Sequence, residues 1–303
     1  MAKVAFQDFN FQAKTLDKIA MADRIIKVYE AQGYKLTLRQ LYYQMVARDL
    51  IPNTQRSYKN LGVIVGNARL AGLIDWNSIE DRLRQLVSVS HWTSPSSIIW
   101  SAASGFRIDK WKHQPCRIEI WVEKDALSGV LTPIATKHDV GFFAARGYPS
   151  LSEMYSAGQR FARYARAGQE VHILHLGDHD PSGMDMTRDI QERVSMFAEK
   201  SLKVNRLALN WNQIELYNPP PNPAKQTDSR YATYADEYGD ESWELDALDP
   251  ATLESIVEPV ILELRDDSIW NADRNIEKAH IYDLETAASN WDDVAEYVKD
   301  KYQ

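Results

Sequence analysis

Cysteine is nearly absent: 303 residues contain one, Cys116. A disulfide framework and a cysteine-rich zinc site both need more, so neither forms within one chain. Cys116 is expected to be a buried filler. No apolar run nears the roughly 18 residues needed to span a bilayer, and no signal peptide is visible. The expectation is a cytoplasmic protein with no membrane partner. The seven histidines show no HExxH pairing. No G-x-x-x-x-G-K-[ST] phosphate loop occurs, and "GNARLAG" reads as the middle of a helix. Zinc hydrolysis, thiol catalysis and a resident ATPase therefore have no residues to carry them.

What is present suits a folded chain of about two domains at roughly 150 residues each. Hydrophobic residues make up 44% and charged residues 26%. The net charge of -8 argues against nonspecific nucleic-acid binding, but it is an average. From Lys35 to Arg84 the bases are Lys35, Arg39, Arg48, Arg56, Lys59, Arg69, Arg82 and Arg84, against Asp49, Asp75, Glu80 and Asp81. The region after Gln226 is acidic, as in "ADEYGDESWELDALD". A local basic patch binds phosphate whatever the total charge.

The N-terminal part reads as helices: "QAKTLDKIAMADRIIKVYEAQG" ending at Gly33, "TLRQLYYQMVARDL" with Thr37 as N-cap, and "RSYKNLGVIVGNARLAGLI". "VSHWTSPSSIIWSAASG" reads as turns and short strands, which gives a winged helix-turn-helix pattern. From "RIEIWV" onward, short apolar strands alternate with helical segments, through "VGFFAA", "EVHILHL" and "VNRLAL". That alternation predicts βαβ units and a parallel sheet. "NPPPNPAKQTDSR" is a loop, and the acidic region beyond it is mostly helical. The predicted class is α/β plus α. Residues 1–112 are expected to form a winged-helix (CAP-like) DNA-binding domain, and residues 113–303 an α/β domain with an acidic helical tail.

Carboxylates gather where strands end. Glu123 follows "RIEIWV", and Asp178 and Asp180 follow "HILHLG". Residues i and i+2 of an extended chain point to one side, so the two aspartates face together and His179 faces away. Pro181 suits the first turn of the next helix, and Gly183 permits a tight turn. Ligands of open α/β sheets bind beyond these strand ends. Three carboxylates there repel unless a cation joins them, and hard oxygen donors favour Mg²⁺.

A strand-Glu followed by a strand-DxDPxG resembles the Toprim domain of topoisomerases and related nucleases. "RGYPSLSEM" resembles the segment between these motifs in the topoisomerase VI A subunit, and "WELDAL" its later acidic motif. "TLRQLYY" resembles the active-site helix of that subunit and of its relative that makes meiotic double-strand breaks. "ARGYPS" lacks the family's usual first Gly and final Asp, and the chain is short for the subunit. The resemblance implies Mg²⁺, with Mn²⁺ as a substitute, held by Glu123, Asp178 and Asp180. It implies phosphate contacts by Lys124 and Arg146, with Asp185 a weaker candidate for the metal shell. It implies Tyr43 as the nucleophile.

Helical geometry bears on that tyrosine separately. Leu38, Leu41, Tyr42 and Met45 form one apolar stripe, so Tyr42 reads as core, while Arg39 and Tyr43 share another face. A nearby guanidinium lowers a phenol's pKa and holds phosphate. Arg39 is therefore expected to activate Tyr43 for a phosphotyrosyl link to DNA. On the third helix, Arg56, Lys59, Asn60, Asn67 and Arg69 surround the stripe Leu61, Ile64, Val65 and Ala68 and are candidates for DNA contact.

The implied partners are double-stranded DNA, a second copy of the chain and a separate ATPase B-type subunit for strand passage, in a nucleoid-associated protein. In the family, the tyrosine of one subunit meets the metal site of the other. Two other readings stay open. One is a Toprim nuclease that hydrolyses DNA with water and keeps Tyr43 for packing. The other is a DNA-binding module without catalysis.

Overall fold

The computed structural model describes residues 3–79 and 89–302. Glu80, Asp81, Arg82 and Arg84 of the basic segment lie outside the described residues.

Three helices come first: α1 (Ala13–Ala31), α2 (Leu38–Val46) and α3 (Gln55–Leu70). Gly33 follows α1 at φ 86°, a left-handed position that glycine takes without a Cβ penalty. Thr37 caps α2 in a reciprocal box with Gln40, as its side chain accepts from Gln40 N at 3.2 Å and Gln40 Oε1 accepts from Thr37 N at 2.8 Å. Such a cap is worth about 1 kcal/mol. The helices bury Ile19, Ala22, Ile26 and Tyr29 against Leu41, Met45, Leu61, Val65 and Ala68. "GNARLAG" supplies the end of α3 rather than a helix interior, with Gly72 beyond it at φ 70°.

Residues Pro95–Gly105 form helix α4, which corrects the reading of this stretch as turns and short strands. Ser94 caps it with Ser97 in a capping box, and Pro95 fills the first turn, where its missing N–H costs nothing. The Ser-Pro start signal outweighs the β-branched Ile98 and Ile99.

The α/β part runs β1 (Cys116–Val122), a 3₁₀ turn at Asp125–Leu127, α5 (Ser128–Lys137), β2 (Gly141–Ala144), α6 (Leu151–Arg166), β3 (Glu170–Leu176), α7 (Pro181–Ala198) and β4 (Lys203–Ala208). The strands make a parallel sheet in the order β2-β1-β3-β4. Glu119 pairs with Gly141 across β1 and β2, and His172 with Lys203 across β3 and β4. The winding direction reverses between β1 and β3, which opens a crevice beyond their carboxyl ends. On one face Trp121 and Ile173 pack against Met154 and Phe161 of α6 and Met186, Ile190 and Val194 of α7. A Cβ on Gly158 of α6 would lie 2.4 Å from the Phe197 side chain of α7, so only glycine permits this approach.

Beyond the sheet lie α8 (Trp211–Tyr217), β5 (Asn222–Pro223), α9 (Tyr231–Tyr238), β6 (Glu241–Ser242) and a 3₁₀ turn at Leu245–Ala247. Three helices follow: α10 (Pro250–Leu264), α11 (Asp267–Ser289) and α12 (Trp291–Tyr302). The Pro-rich segment is loop apart from the two residues of β5, which pair antiparallel with β6. The chain is mixed α/β with additional helices, as the patterning implies. Among the described residues no helix is long and apolar enough to cross a membrane.

By packing, the chain forms two compact units, Met1–Arg82 with Arg117–Glu263, and Leu83–Cys116 with Leu264–Gln303. This division runs across the sequence segments 1–112 and 113–303. The three N-terminal helices share a unit with the sheet, and the end of the acidic region belongs to the other unit. In that second unit Cys116 is buried, Lys110 pairs with Glu277 at 2.7 Å, and Gln114 exchanges two hydrogen bonds with the backbone of Asp266.

Candidate active site

The ends of β1 and β3 are held level, since Glu123 N donates to Leu176 O at 2.9 Å. The Asp178 amide then donates to Glu123 Oε2 at 3.0 Å. Burial, with the Asp178 and Asp180 charges, pushes the Glu123 carboxyl up to about 7. Asp178 is 5% exposed. Its Oδ1 accepts from Leu245 N at 2.8 Å and its Oδ2 lies 2.6 Å from Lys124 Nζ. Burial raises its pKa, against the pull of Lys124.

The 3₁₀ turn after β6 brings two more carboxylates. One oxygen each from Asp178, Glu244 and Asp246 lies within 4.8 Å of the others, which is metal-ligand spacing. Of the predicted set Glu123, Asp178 and Asp180, Asp178 lies in this group, and Glu123 accepts the Asp178 amide beside it. Asp180 caps α7, accepting from Gly183 N at 2.6 Å, with Pro181 in the first helical turn. A Cβ on Gly183 would lie 2.4 Å from the Asp178 carbonyl oxygen, so close approach is what requires glycine here. His179 faces away, among the rings of Trp211, Tyr234, Tyr238 and Trp243.

All three donors of the group are hard oxygens, which fits a divalent cation of the Mg²⁺, Mn²⁺ or Ca²⁺ type. Lys124 Nζ contacts all three: Asp178, Glu244 and, at 3.4 Å, Asp246. The charge balance also fits a cation. Five carboxylates, Glu123, Asp178, Asp180, Glu244 and Asp246, face three cationic side chains, Lys124, Arg39 and Arg206. Arg206 on β4 is half-buried and staples the loop that carries the aspartates. Its guanidinium donates to the carbonyls of Asp178 at 2.6 Å, Gly183 at 2.9 Å and Leu209 at 3.1 Å.

Arg39 joins the tyrosine helix to this acidic group. Its Nη2 lies 2.9 Å from Glu244 Oε2, and its Nε 2.9 Å from Asp246 Oδ2. Nη2 also donates to the Tyr43 hydroxyl at 3.4 Å. Tyr43 is as buried as Tyr42, at 4% and 5% exposure, because Asn222 and Glu244 cover the outer face of α2. Tyr42 is core as expected, donating to Asn53 Oδ1 at 2.8 Å. The expected activation of Tyr43 is corrected: burial and the Asp246 charge raise its pKa, and together outweigh Arg39 and a hydrogen bond from Asn222. A cavity of about 660 Å³ opens beside it, lined by Arg39, Tyr43, Tyr58, Lys59, Asn222 and Glu244 among others.

The remaining predicted residues lie around this centre or apart from it. Lys124 points into the carboxylates. Arg56, Lys59 and Asn60 are exposed on the first turns of α3. Arg69 donates to the Trp76 carbonyl and lies 4.8 Å over its ring. The Arg146 side chain is 68% exposed and 3.4 Å from Asp125. Asp185 is engaged by Arg188, Tyr148 and Arg230. The sequence reading missed Glu244, Asp246, Asn222 and Arg206. "WELDAL" flagged the first two as a motif without a role, and nothing local to the sequence marks the others.

No protein-family model and no curated protein matches the chain.

Proposed function

We propose that the protein is a divalent-metal-dependent DNA-cleaving enzyme of the topoisomerase VI A type, with Tyr43 as nucleophile. In this reading α1–α3 belong to a winged-helix module and the parallel sheet to a Toprim domain. The observation that carries it is Arg39, whose guanidinium touches both the Tyr43 hydroxyl and the carboxylates of Glu244 and Asp246. A phenol, a guanidinium and a metal-spaced oxygen cluster beside an open cavity suit phosphoryl transfer.

Asp178, Glu244 and Asp246 would hold Mg²⁺, with Glu123 beside them and Asp180 fixing the loop. When bound, the cation supplies positive charge that offsets Asp246 beside Tyr43 and stabilises charge on the phosphate. Arg39 holds the phosphate against Tyr43, and Lys59 and Arg56 carry neighbouring phosphates. Tyr43 Oη forms the new bond to phosphorus as the bond to the adjoining deoxyribose oxygen breaks. The phenol proton passes to water and the leaving oxygen takes one up, so the step is a balanced transesterification. Cutting both strands takes two chains, and strand passage takes a separate ATPase.

The raised pKa and burial of Tyr43 favour a second reading, a Toprim nuclease using water. Incubation of supercoiled plasmid with Mg²⁺ or Mn²⁺, quenched by detergent and split with and without protease, separates the two. Protein-linked ends that disappear in Tyr43→Phe support transesterification. Free ends that survive Tyr43→Phe and vanish in Asp178→Asn support hydrolysis. No cleavage with any DNA or metal counts against both.

A further inference from the structure

We infer that His179 and Trp243 are positioning residues for the metal group: their backbone pairing, locked by an aromatic box, sets Asp178 opposite Glu244. This rests on the reading above, in which Asp178, Glu244 and Asp246 hold the cation.

The segments that supply these carboxylates are far apart in the chain and meet through one antiparallel bridge. His179 N donates to Trp243 O at 2.8 Å, and Trp243 N donates to His179 O at 2.9 Å. With 179 opposite 243, antiparallel pairing puts 178 opposite 244. Successive side chains of an extended segment point to opposite sides. His179 and Trp243 therefore project to one side, and Asp178 and Glu244 to the other. The oxygens of Asp178 and Glu244 do meet, and Leu245 N donates to Asp178 Oδ1 at 2.8 Å in the same register.

A single bridge does not hold a register by itself; a buried face does. Here the far side is buried, with His179 at 1%, Tyr234 at 5% and Trp243 at 6% exposure. The His179 ring meets the rings of Tyr238, Tyr234 and Trp243 edge-on, at centroid distances of 4.6, 5.5 and 5.8 Å. Trp211 closes the box, 5.5 Å from Trp243. The Tyr234 hydroxyl reaches both segments. It lies 2.8 Å from His179 Nδ1 and donates to the carbonyls of His179 at 3.0 Å and Glu241 at 3.1 Å. A slip of one residue would turn Trp243 toward the carboxylates and bury Glu244 among the rings, where its charge has no partner.

The test uses the full chain and does not depend on cleavage. Mn²⁺ binding is titrated calorimetrically for His179→Ala, for Tyr234→Phe, which removes a single oxygen, and for Ile190→Val in the core between α6 and α7. His179→Ala and Tyr234→Phe should each weaken Mn²⁺ binding by at least about tenfold, the usual loss when a group behind a metal ligand is removed. In metal-free protein, both should speed hydrogen exchange at the Leu245 amide, which reports the register directly. Ile190→Val should lower the melting temperature and leave Mn²⁺ affinity and Leu245 exchange where they are, which separates positioning from stability. Unchanged Mn²⁺ affinity in Tyr234→Phe, or in folded His179→Ala, overturns the inference. If the unsubstituted protein binds no Mn²⁺, the proposed function fails, and Leu245 exchange still decides whether the box sets the register: exchange unchanged in both variants overturns it.

Discussion

Glu277 on α11 sits 2.7 Å from Lys110 and accepts the Ile108 amide at 2.9 Å, whereas Asp178 at the sheet edge shares the Lys124 ammonium with Glu244 and Asp246. The first is one carboxylate matched by one cation. Its burial works against ionisation, but Lys110 and the amide outweigh it and hold Glu277 below the usual range. The second is a surplus of carboxylates in a crevice, and there Asp178 and Glu123 are raised. One pair stabilises the fold at neutral pH. The other stores repulsion that a bound cation relieves, as sites arranged for chemistry commonly do. The difference is in stoichiometry rather than in residue type.

The largest effect expected is on cleavage. Tyr43→Phe should reduce protein-linked cleavage by at least about 10³-fold, since it removes the oxygen that forms the ester. Melting temperature should move little, because the change removes one hydroxyl and its weak hydrogen bonds, worth about 1 kcal/mol. A variant that cuts normally would remove Tyr43 from the site altogether.

Lys110→Ala should break the matched pair, lowering stability by on the order of 2 kcal/mol in denaturant melts. It should leave metal affinity untouched. Lys124→Met at the surplus site should behave differently. In EDTA it should destabilise, and saturating Mg²⁺ should restore its melting temperature to that of the unsubstituted protein. Isothermal titration should show tighter Mg²⁺ or Mn²⁺ binding, because the cation no longer competes with an ammonium. Equal or weaker binding would mean that Lys124 does not stand in the metal's place.

The two sites should also answer pH with opposite signs. Glu277 has a depressed folded pKa, so its contribution is present above the unfolded value of about 4.3 and is lost as pH falls through the folded value. Glu123 is raised to about 7, so the folded state binds more protons than the unfolded one between about pH 4.3 and 7. In EDTA its contribution to stability should fall as pH rises through that interval, by about 3–4 kcal/mol. Glu123→Gln should flatten this decline, and Glu277→Gln should remove the acid-side loss. Melts of both variants from pH 4 to 8 check the pair of signs.

Much of the architecture is legible in local pattern. Apolar runs such as "EVHILHL" with helices between them give the parallel sheet, and Thr37, Gly33 and Pro181 mark helix ends by their backbone chemistry. The strand ends put Glu123 and Asp178 in the crevice. What is not legible depends on segments far apart in the chain. Residues 222 and 244–247 fold back onto α2 and bury Tyr43, which reverses the pKa shift that the Arg39–Tyr43 spacing alone suggests. Asp180 caps α7, a local role that Pro181 and Gly183 already signal. Arg206 reads as one more residue of a short strand. Its role comes from the loop carbonyls that pack around its guanidinium.

The most direct test of the central claim is to map the covalent adduct. Protein trapped on DNA in Mg²⁺ by detergent would be digested with nuclease and protease, and the peptide spanning Leu38–Arg48 sequenced by mass spectrometry. The account predicts a nucleotide mass on Tyr43, absent when Asp178→Asn is used. Cleaved DNA with an adduct on another residue, or with no adduct at all, would contradict it.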